Sequence, residues 1–202
     1  MMQRPSALPG TGSLPRAVFV GRNGALLANA LRTSAPKVDA ALFSAGATDA
    51  LFRTVQAGFR VYLIGNEDAV AQSKVSDAAW SRFESALLEH LRGLGIPVAH
   101  NYACLDHPRG KGEHKRDSVF LFPNTGALYH AAQEDGIDLP SSWLVSRDVL
   151  ELAAGWRAGV RTVRLLDTAG AHEELRVEPS LRAPDLARAL RQVVAASGVV
   201  HH

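Results

Sequence analysis

One stretch, between positions 104 and 116, brings together side chains of types that can do chemistry: a thiol, carboxylates, imidazoles and cations. The basic stretch 109–116 suits contact with a phosphorylated sugar or an acidic partner. Because Glu113 interrupts that stretch, we favour a solvated loop that follows a buried strand ending at Cys104. Four residues in this region are of types that can bind zinc, namely Cys104, Asp106, His107 and His114.

The composition excludes several classes of protein. The chain has 202 residues, with 22 Lys and Arg against 20 Asp and Glu, and this balance argues against a nucleic-acid-binding surface. Its single cysteine, Cys104, rules out an intramolecular disulfide. No apolar run is long enough to span a membrane, and residues 1–16 lack the apolar core of a secretory signal. We therefore expect a cytoplasmic protein without membrane contact.

Short apolar runs alternate with amphipathic stretches along the chain. The run Ala17–Val20 ends at Gly21, which predicts a buried strand followed by a turn. Apolar residues at three- and four-residue steps from 77 to 94, including Trp80, predict a helix. Further strands are predicted over 60–64, 96–103, 143–145, 160–166 and 174–177, and further helices over 47–57 with Thr48 as N-cap, 125–135, 148–157 and 184–196.

Strands that alternate with helices predict an α/β fold with a parallel sheet covered on both faces. In such sheets ligands bind beyond the carboxyl ends of the strands. The candidate site is therefore formed by the residues that follow these ends. We predict a loose leader over 1–15 and a single domain over 16–200.

Motifs at several strand ends resemble those of the haloacid dehalogenase (HAD) phosphatases, in the branch that acts on histidinol phosphate and heptose bisphosphate. The first motif, in 18–26, is similar to that branch's Phe-Leu-Asp-Arg-Asp-Gly-Thr-Leu. The segments 63–67, 123–139 and 143–163 resemble later motifs in the same order. The resemblance implies a three-layer, Rossmann-like HAD fold with a mostly parallel central sheet.

The same resemblance implies catalysis by residues that this chain does not have. In the family an aspartate attacks phosphorus, and here that position is Gly21. The general acid/base aspartate is replaced by Asn23, and the threonine that holds the phosphoryl group by Gly65. The phosphate-balancing lysine falls on Phe122, and an aspartate that helps to bind Mg²⁺ falls on Arg147. We therefore predict no catalytic residue at these positions.

The resemblance also bears on metals. Glycine and arginine side chains offer no oxygen ligand for Mg²⁺. The branch's zinc motifs, Cys-x-His and Cys-x-Cys, fall on Cys104-x-Asp106 and Ser118-x-Phe120, so two thiolates are missing. We therefore expect neither Mg²⁺ nor Zn²⁺ as a cofactor, with Cys104, Asp106, His107 and His114 as weak candidates for a substitute zinc site.

The arginine at position 147 suggests another use for the strand ends. A guanidinium in place of a carboxylate turns a cation site into an anion site. By analogy with the family, a phosphate there would contact Arg22, Asn23, Asn66 and Arg147. The alternative is that Arg147 pairs with Glu67, Asp68 or Asp148 and fills a collapsed site.

The apolar run 119–122 replaces a polar segment of the family, and either fills the emptied pocket or forms an exposed contact surface. Trp156 lies at a helical position where packing in the core is the favoured interpretation. We conclude that the chain is a non-catalytic, phosphatase-like protein that binds a phosphorylated sugar or a partner such as an active paralogue. The alternative is a divergent phosphatase that acts on heptose 1,7-bisphosphate or a similar sugar phosphate.

Overall fold

The computed structural model describes residues 14–28, 34–166 and 177–198. The predicted leader therefore lies outside the described residues, apart from positions 14 and 15. The strands are β1 (Ala17–Gly21), β2 (Arg60–Asn66), β3 (Val98–Cys104), β4 (Trp143–Ser146), β5 (Arg161–Leu165) and β6 (Leu181–Ala183). The helices are α1 (Ala47–Gln56), α2 (Asp68–Ala71), α3 (Asp77–Gly93), α4 (Gly126–Asp135), α5 (Val149–Arg157) and α6 (Leu186–Ala196).

The described strands form one six-stranded sheet in the order β3-β2-β1-β4-β5-β6, and all of its pairings are parallel. This confirms the predicted α/β fold. The chain first builds outward from β1 to β3, and then crosses to the other side of β1 to add β4. The carboxyl ends of β1 and β4 therefore flank the point where the strand order reverses, which is where open α/β sheets bind ligands.

Two apolar clusters, one on each face of the sheet, hold the layers together. Side chains of the central strands alternate between them: Val18 and Val20 belong to one cluster, and Ala17 and Phe19 to the other. Trp80, Phe83, Leu87 and Leu91 of α3 are buried, as the helical spacing predicts. The faces of β1 are thus both covered, which fixes the position of its carboxyl end.

One local prediction was wrong. Helix α1 begins at Ala47 with Gly46 as its N-cap, so Thr48 lies inside the helix. Gly46 has a φ of 67°, a left-handed conformation that glycine adopts without steric cost. The strand predicted over 174–177 lies outside the described residues except for Val177, so it stays a prediction; the sixth strand among the described residues is Leu181–Ala183. No helix in the described ranges has both the length and the apolar character needed to cross a bilayer.

Candidate functional site

The carboxyl end of β1 carries a fully buried arginine. Arg22 donates through Nε to Glu67 Oε1 at 2.9 Å and through Nη1 to Asn101 Oδ1 at 2.6 Å. Its Nη2 atom also forms an ion pair with Glu67 and donates to the carbonyl oxygen of Gly65 at 3.3 Å. The guanidinium carbon lies 5.1 Å from the centre of the Trp80 ring. Arg22, predicted to contact phosphate, is therefore surrounded by internal partners in this structure.

Glu67 also binds the next residue of the motif. Asn23 Nδ2 donates to the same oxygen, Glu67 Oε1, at 2.8 Å. The other side-chain atom of Asn23, Oδ1, is buried and has no hydrogen-bond partner among the described residues. One oxygen of Glu67 therefore accepts hydrogen bonds from both Arg22 and Asn23. The amide oxygen of Asn23 is left able to accept a further hydrogen bond.

The space next to Gly21 is filled by two polar side chains from the β4–α5 region. A Cβ atom at Gly21 would lie 2.5 Å from Glu151 Oε2 and 2.7 Å from Ser146 Oγ. These two groups are hydrogen-bonded to each other, because the Ser146 hydroxyl donates to Glu151 Oε2 at 2.5 Å. A Cβ atom at Gly65 would in turn lie 3.0 Å from Arg22 Nη2. Both glycines thus have side chains of other residues packed against them.

Glu151 is fully buried, and burial is the main reason that its pKa is raised well above the usual value for glutamate. The nearby Asp148 carboxylate raises the pKa further, whereas the hydrogen bond from Ser146 and the charge of Arg22 lower it. The net direction favours the uncharged carboxylic acid. Glu151, which fills the space at Gly21, is therefore packed in the interior, where its charged form is disfavoured.

Asn66 and Phe122 close a neighbouring part of the same edge. Phe122 N donates to Asn66 Oδ1 at 2.9 Å, and Asn66 Nδ2 donates to the Phe122 carbonyl oxygen at 3.1 Å. The Phe122 side chain is 2% exposed and belongs to the apolar cluster that contains Phe19. Asn66, another predicted phosphate contact, therefore uses both polar atoms of its amide to fix the backbone at Phe122.

Arg147 lies at the end of β4 and reaches across the site to the turn after β1. Its Nε atom donates to the carbonyl oxygen of Gly24, and its Nη1 atom to that of Leu166, each at 2.5 Å. Both acceptors are backbone carbonyl oxygens, whereas the alternative considered from the sequence was that Arg147 pairs with a carboxylate side chain. The side chain is half-buried. Two of the four predicted phosphate contacts are charged, and Arg147 is more accessible than the fully buried Arg22.

The weak zinc candidates are divided between a cleft and its flanking loop. Cys104, Asp106 and His114 line a cleft of about 350 Å³ together with Ser118 and Phe120. His107 is absent from its lining and accepts a hydrogen bond from Arg109 N at 2.9 Å. Within the described ranges, no group of three or more His, Cys, Asp or Glu side chains is arranged to hold a metal ion.

His114 has a carboxylate at each ring nitrogen. Its Nε2 atom lies 2.8 Å from Asp77 Oδ1, and its Nδ1 atom lies 3.1 Å from Asp106 Oδ1. The hydrogen bond with Asp77 is the main reason that the pKa of His114 is raised; partial burial opposes this shift and Asp106 adds to it. The carboxylate of Asp106 also binds Arg116 Nε at 2.8 Å.

We predict that this arrangement makes stability depend on pH. The folded-state pKa of His114 lies above its unfolded value of about 6.5, so the contribution is complete below that pH. It is lost as the pH rises through the folded-state pKa. As the pH rises from about 6.5 through the folded-state pKa of His114, the melting temperature should fall more steeply for the wild type than for His114→Gln. His107→Gln is the matched control and should keep the wild-type slope; equal slopes for all three proteins would contradict the prediction.

The sequence interpretation missed three residues that shape the site, namely Glu67 as an internal partner of Arg22, Asn101 and Glu151. Glu151 offered one detectable signal, because it is an isolated acid in the apolar helix segment Val149–Gly155. Buried carboxylates are rare unless they are paired or neutral. Asn101 offered none, because its role depends on the distance between β1 and β3, which β2 separates in the sheet.

The chain is similar to several proteins that bear the names of phosphatases, although no family profile matches it. It is 26% identical over 155 residues to D-glycero-beta-D-manno-heptose-1,7-bisphosphate 7-phosphatase of Pasteurella multocida, covering 77% of this chain and 83% of the relative. The enzyme of the same name from Haemophilus influenzae is 29% identical over 153 residues, covering 76% and 82%. The D,D-heptose 1,7-bisphosphate phosphatase of B. bronchiseptica, solved with magnesium and phosphate, has a TM-score of 0.74 at 19% identity and covers 90% of this chain and 99% of the relative.

The expectation that no cofactor is involved was wrong, since a phosphatase with the same fold was solved with magnesium. The expectation considered only the side chains lost at two positions, whereas amide and backbone oxygens also bind hard cations. Asn23 Oδ1 is one buried oxygen that could accept such a contact. In the described arrangement the neighbouring Glu67 oxygen is shared by Arg22 and Asn23, so these side chains do not complete a magnesium site. Mg²⁺ therefore belongs in every assay of this protein.

Proposed function

Because this chain belongs to the haloacid dehalogenase superfamily, we propose that it is a phosphatase-like member that binds a sugar phosphate without hydrolysing it. The observation that carries this proposal is the filled space at Gly21. Hydrolysis through an aspartyl-phosphate needs a carboxylate there, and a Cβ atom alone would lie 2.5 Å from Glu151 Oε2. Loss of a catalytic nucleophile typically lowers the rate by a factor of about 10⁴–10⁶.

The neighbouring side chains do not supply a replacement nucleophile. Ser146 is completely buried, and its hydroxyl donates to Glu151. Glu151 is itself buried, with a raised pKa that disfavours the nucleophilic carboxylate. Asn23, at the family's acid/base position, is an amide that does not exchange a proton usefully near neutral pH. These features argue against turnover at this position.

The second candidate function is hydrolysis of a heptose bisphosphate. The relatives named above favour this candidate, because they are heptose-1,7-bisphosphate 7-phosphatases that match most of the chain. The unpartnered Asn23 Oδ1 also favours it, as an oxygen able to contact a cation or a substrate hydroxyl. Both candidate functions involve a sugar phosphate, and they differ only in whether phosphate is released from it.

Phosphate release from heptose 1,7-bisphosphate decides between the two candidates. We expect no Mg²⁺-dependent release above background when the full chain is incubated with excess Mg²⁺ and, in parallel, with a chelator. Turnover that is proportional to protein concentration and is lost in Gly21→Phe would overturn the proposal, because that variant blocks the end of β1. Turnover that survives Gly21→Phe would come from a contaminating phosphatase.

We predict that Arg147 supplies the charge that holds the phosphate. Its guanidinium is half-buried and is anchored by the carbonyl oxygens of Gly24 and Leu166, so it is pre-oriented at the end of β4. Arg147→Ala should abolish the rise in melting temperature produced by a sugar phosphate. Arg157→Ala is the matched control, since Arg157 is exposed and bonds only one described carbonyl, that of Pro123. An undiminished shift in Arg147→Ala would show that the anion binds elsewhere.

A further inference from the structure

A second concave site lies along β3, beside the strand-end site, with which it shares Asn101. β3 is an edge strand, since the described sheet ends with it and pairs it with β2 alone. A cleft of about 350 Å³ follows its outer part, within the size range of small-molecule sites. We call it the β3 cleft. The side chains on which the inference rests are His100, Tyr102, Arg116, Ser118, Phe120 and His130.

Aromatic rings form one wall of the β3 cleft. The rings of Tyr102 and Phe120 are nearly parallel, at 13°, with centres 6.0 Å apart. The His130 ring meets both at a steep angle, 76° to Tyr102 and 65° to Phe120. The Tyr102 hydroxyl and His130 Nδ1 share a hydrogen bond of 2.9 Å. This wall is therefore a fixed apolar platform, which stacks well against a flat or puckered ring.

Polar groups surround this platform. His100 is exposed on β3, with its ring centre 4.3 Å from that of Tyr102. Ser118 and His130 add a hydroxyl and a second imidazole to the lining. Burial is the main reason that the pKa of Tyr102 is raised to about 12, so the phenol keeps its proton. Imidazole and hydroxyl groups both donate and accept, which suits a ligand with several hydroxyls.

The charges at one end of the β3 cleft cancel. Arg116 binds Asp106, and His114 lies between Asp106 and Asp77. Within the lining, the cation Arg116 is therefore balanced by the carboxylate of Asp106, with which it forms an ion pair at 2.8 Å. A ligand with a large net charge gains little from such a balanced set. The electrostatics thus favour a neutral polar ligand over a phosphate or a divalent cation.

We propose that the β3 cleft binds a neutral sugar ring. One face of the ring would stack on Phe120, because the C–H bonds of a sugar face carry partial positive charge and an aromatic face carries partial negative charge. Its hydroxyls would bond to His100 and His130. This inference goes beyond the proposed function and does not depend on it, since none of the strand-end residues Gly21, Arg22, Asn23 and Arg147 lines the β3 cleft.

The test is titration of the isotope-labelled full chain with methyl α-D-mannopyranoside and methyl α-D-glucopyranoside, followed by amide NMR spectra. We expect saturable shifts confined to the amides around His100, Tyr102 and Phe120, with millimolar affinity for at least one glycoside. Phe120→Leu should weaken binding by about two- to tenfold, the effect of losing one aromatic stacking face. Trp156→Leu, an exposed aromatic outside the cleft, should bind as the wild type does.

His100→Ala provides an independent variant if Phe120→Leu does not fold, because His100 is exposed on an edge strand. It should also weaken binding. Three results would overturn the proposal: no saturable shift with either glycoside, shifts located away from the β3 cleft, or unchanged affinity in both cleft variants. Adenosine and inorganic phosphate are titrated in parallel. Binding of either in the β3 cleft without glycoside binding would assign the site to an aromatic heterocycle or to an anion instead.

Discussion

Replacing Glu67 with alanine is expected to lower the free energy of unfolding by about 3–5 kcal/mol, the usual cost of removing one partner from a buried ion pair. The effect should be large because Glu67 Oε1 accepts bonds from both Arg22 and Asn23, and both ionic side chains are almost completely buried. The variant leaves the Arg22 guanidinium in the interior with only neutral acceptors. Urea denaturation of the wild type and the variant measures the difference.

The matched control for Glu67→Ala is Glu178→Ala. Glu178 pairs with Arg182 at 3.0 Å, but its side chain is 86% exposed, so its loss should cost less than about 1 kcal/mol. Glu67→Gln keeps the acceptor oxygen without the charge and should have an intermediate effect. If Glu67→Ala were no more destabilising than the control, Arg22 would not depend on Glu67, and the pair would not be what holds the end of β1.

The sheet could be predicted from the sequence because its signals are local. Apolar runs of four to seven residues between turns predict buried strands, and parallel strands place their carboxyl ends at one edge. The segments around 17–21, 60–66 and 143–146 carry this pattern, and they form β1, β2 and β4. The location of the candidate site followed from the same reasoning, because it depends only on the shared direction of the parallel strands.

The chemistry of the site could not be predicted in the same way, because it depends on which long side chains meet across strands. Arg22 was assigned to a ligand, but its guanidinium contacts Glu67, which follows β2, and Asn101, which lies within β3. Either role is compatible with an arginine after a strand. The exposure of Trp156 was missed for a related reason. Its helix is apolar on most sides, so the sequence does not reveal which of these sides is left uncovered.

Restoring an aspartate at position 21 is expected to destabilise the protein and not to create a phosphatase. Gly21→Ala should already cost about 1–3 kcal/mol, because its Cβ would overlap the carboxyl of Glu151 and the hydroxyl of Ser146. Gly21→Asp should cost about 3–5 kcal/mol, because it adds a buried carboxylate with no cationic partner of its own. Urea denaturation measures both variants, and phosphate release with Mg²⁺ measures any gain of activity.

The double variant Gly21→Asp/Glu151→Ala separates the two causes of lost stability, which are steric overlap at position 21 and the burial of a carboxylate. Removing the Glu151 carboxyl relieves the shorter of the two overlaps at position 21 and leaves the one with Ser146 Oγ, so the double variant should be more stable than Gly21→Asp alone. It should still lack turnover, because Arg147 and Asn23 remain where the family has carboxylates. Magnesium-dependent phosphate release by the double variant would show the reverse. The missing aspartate at position 21 and the Glu151 side chain packed against it would then together account for the lost activity, and the remaining strand-end residues would already be sufficient for catalysis.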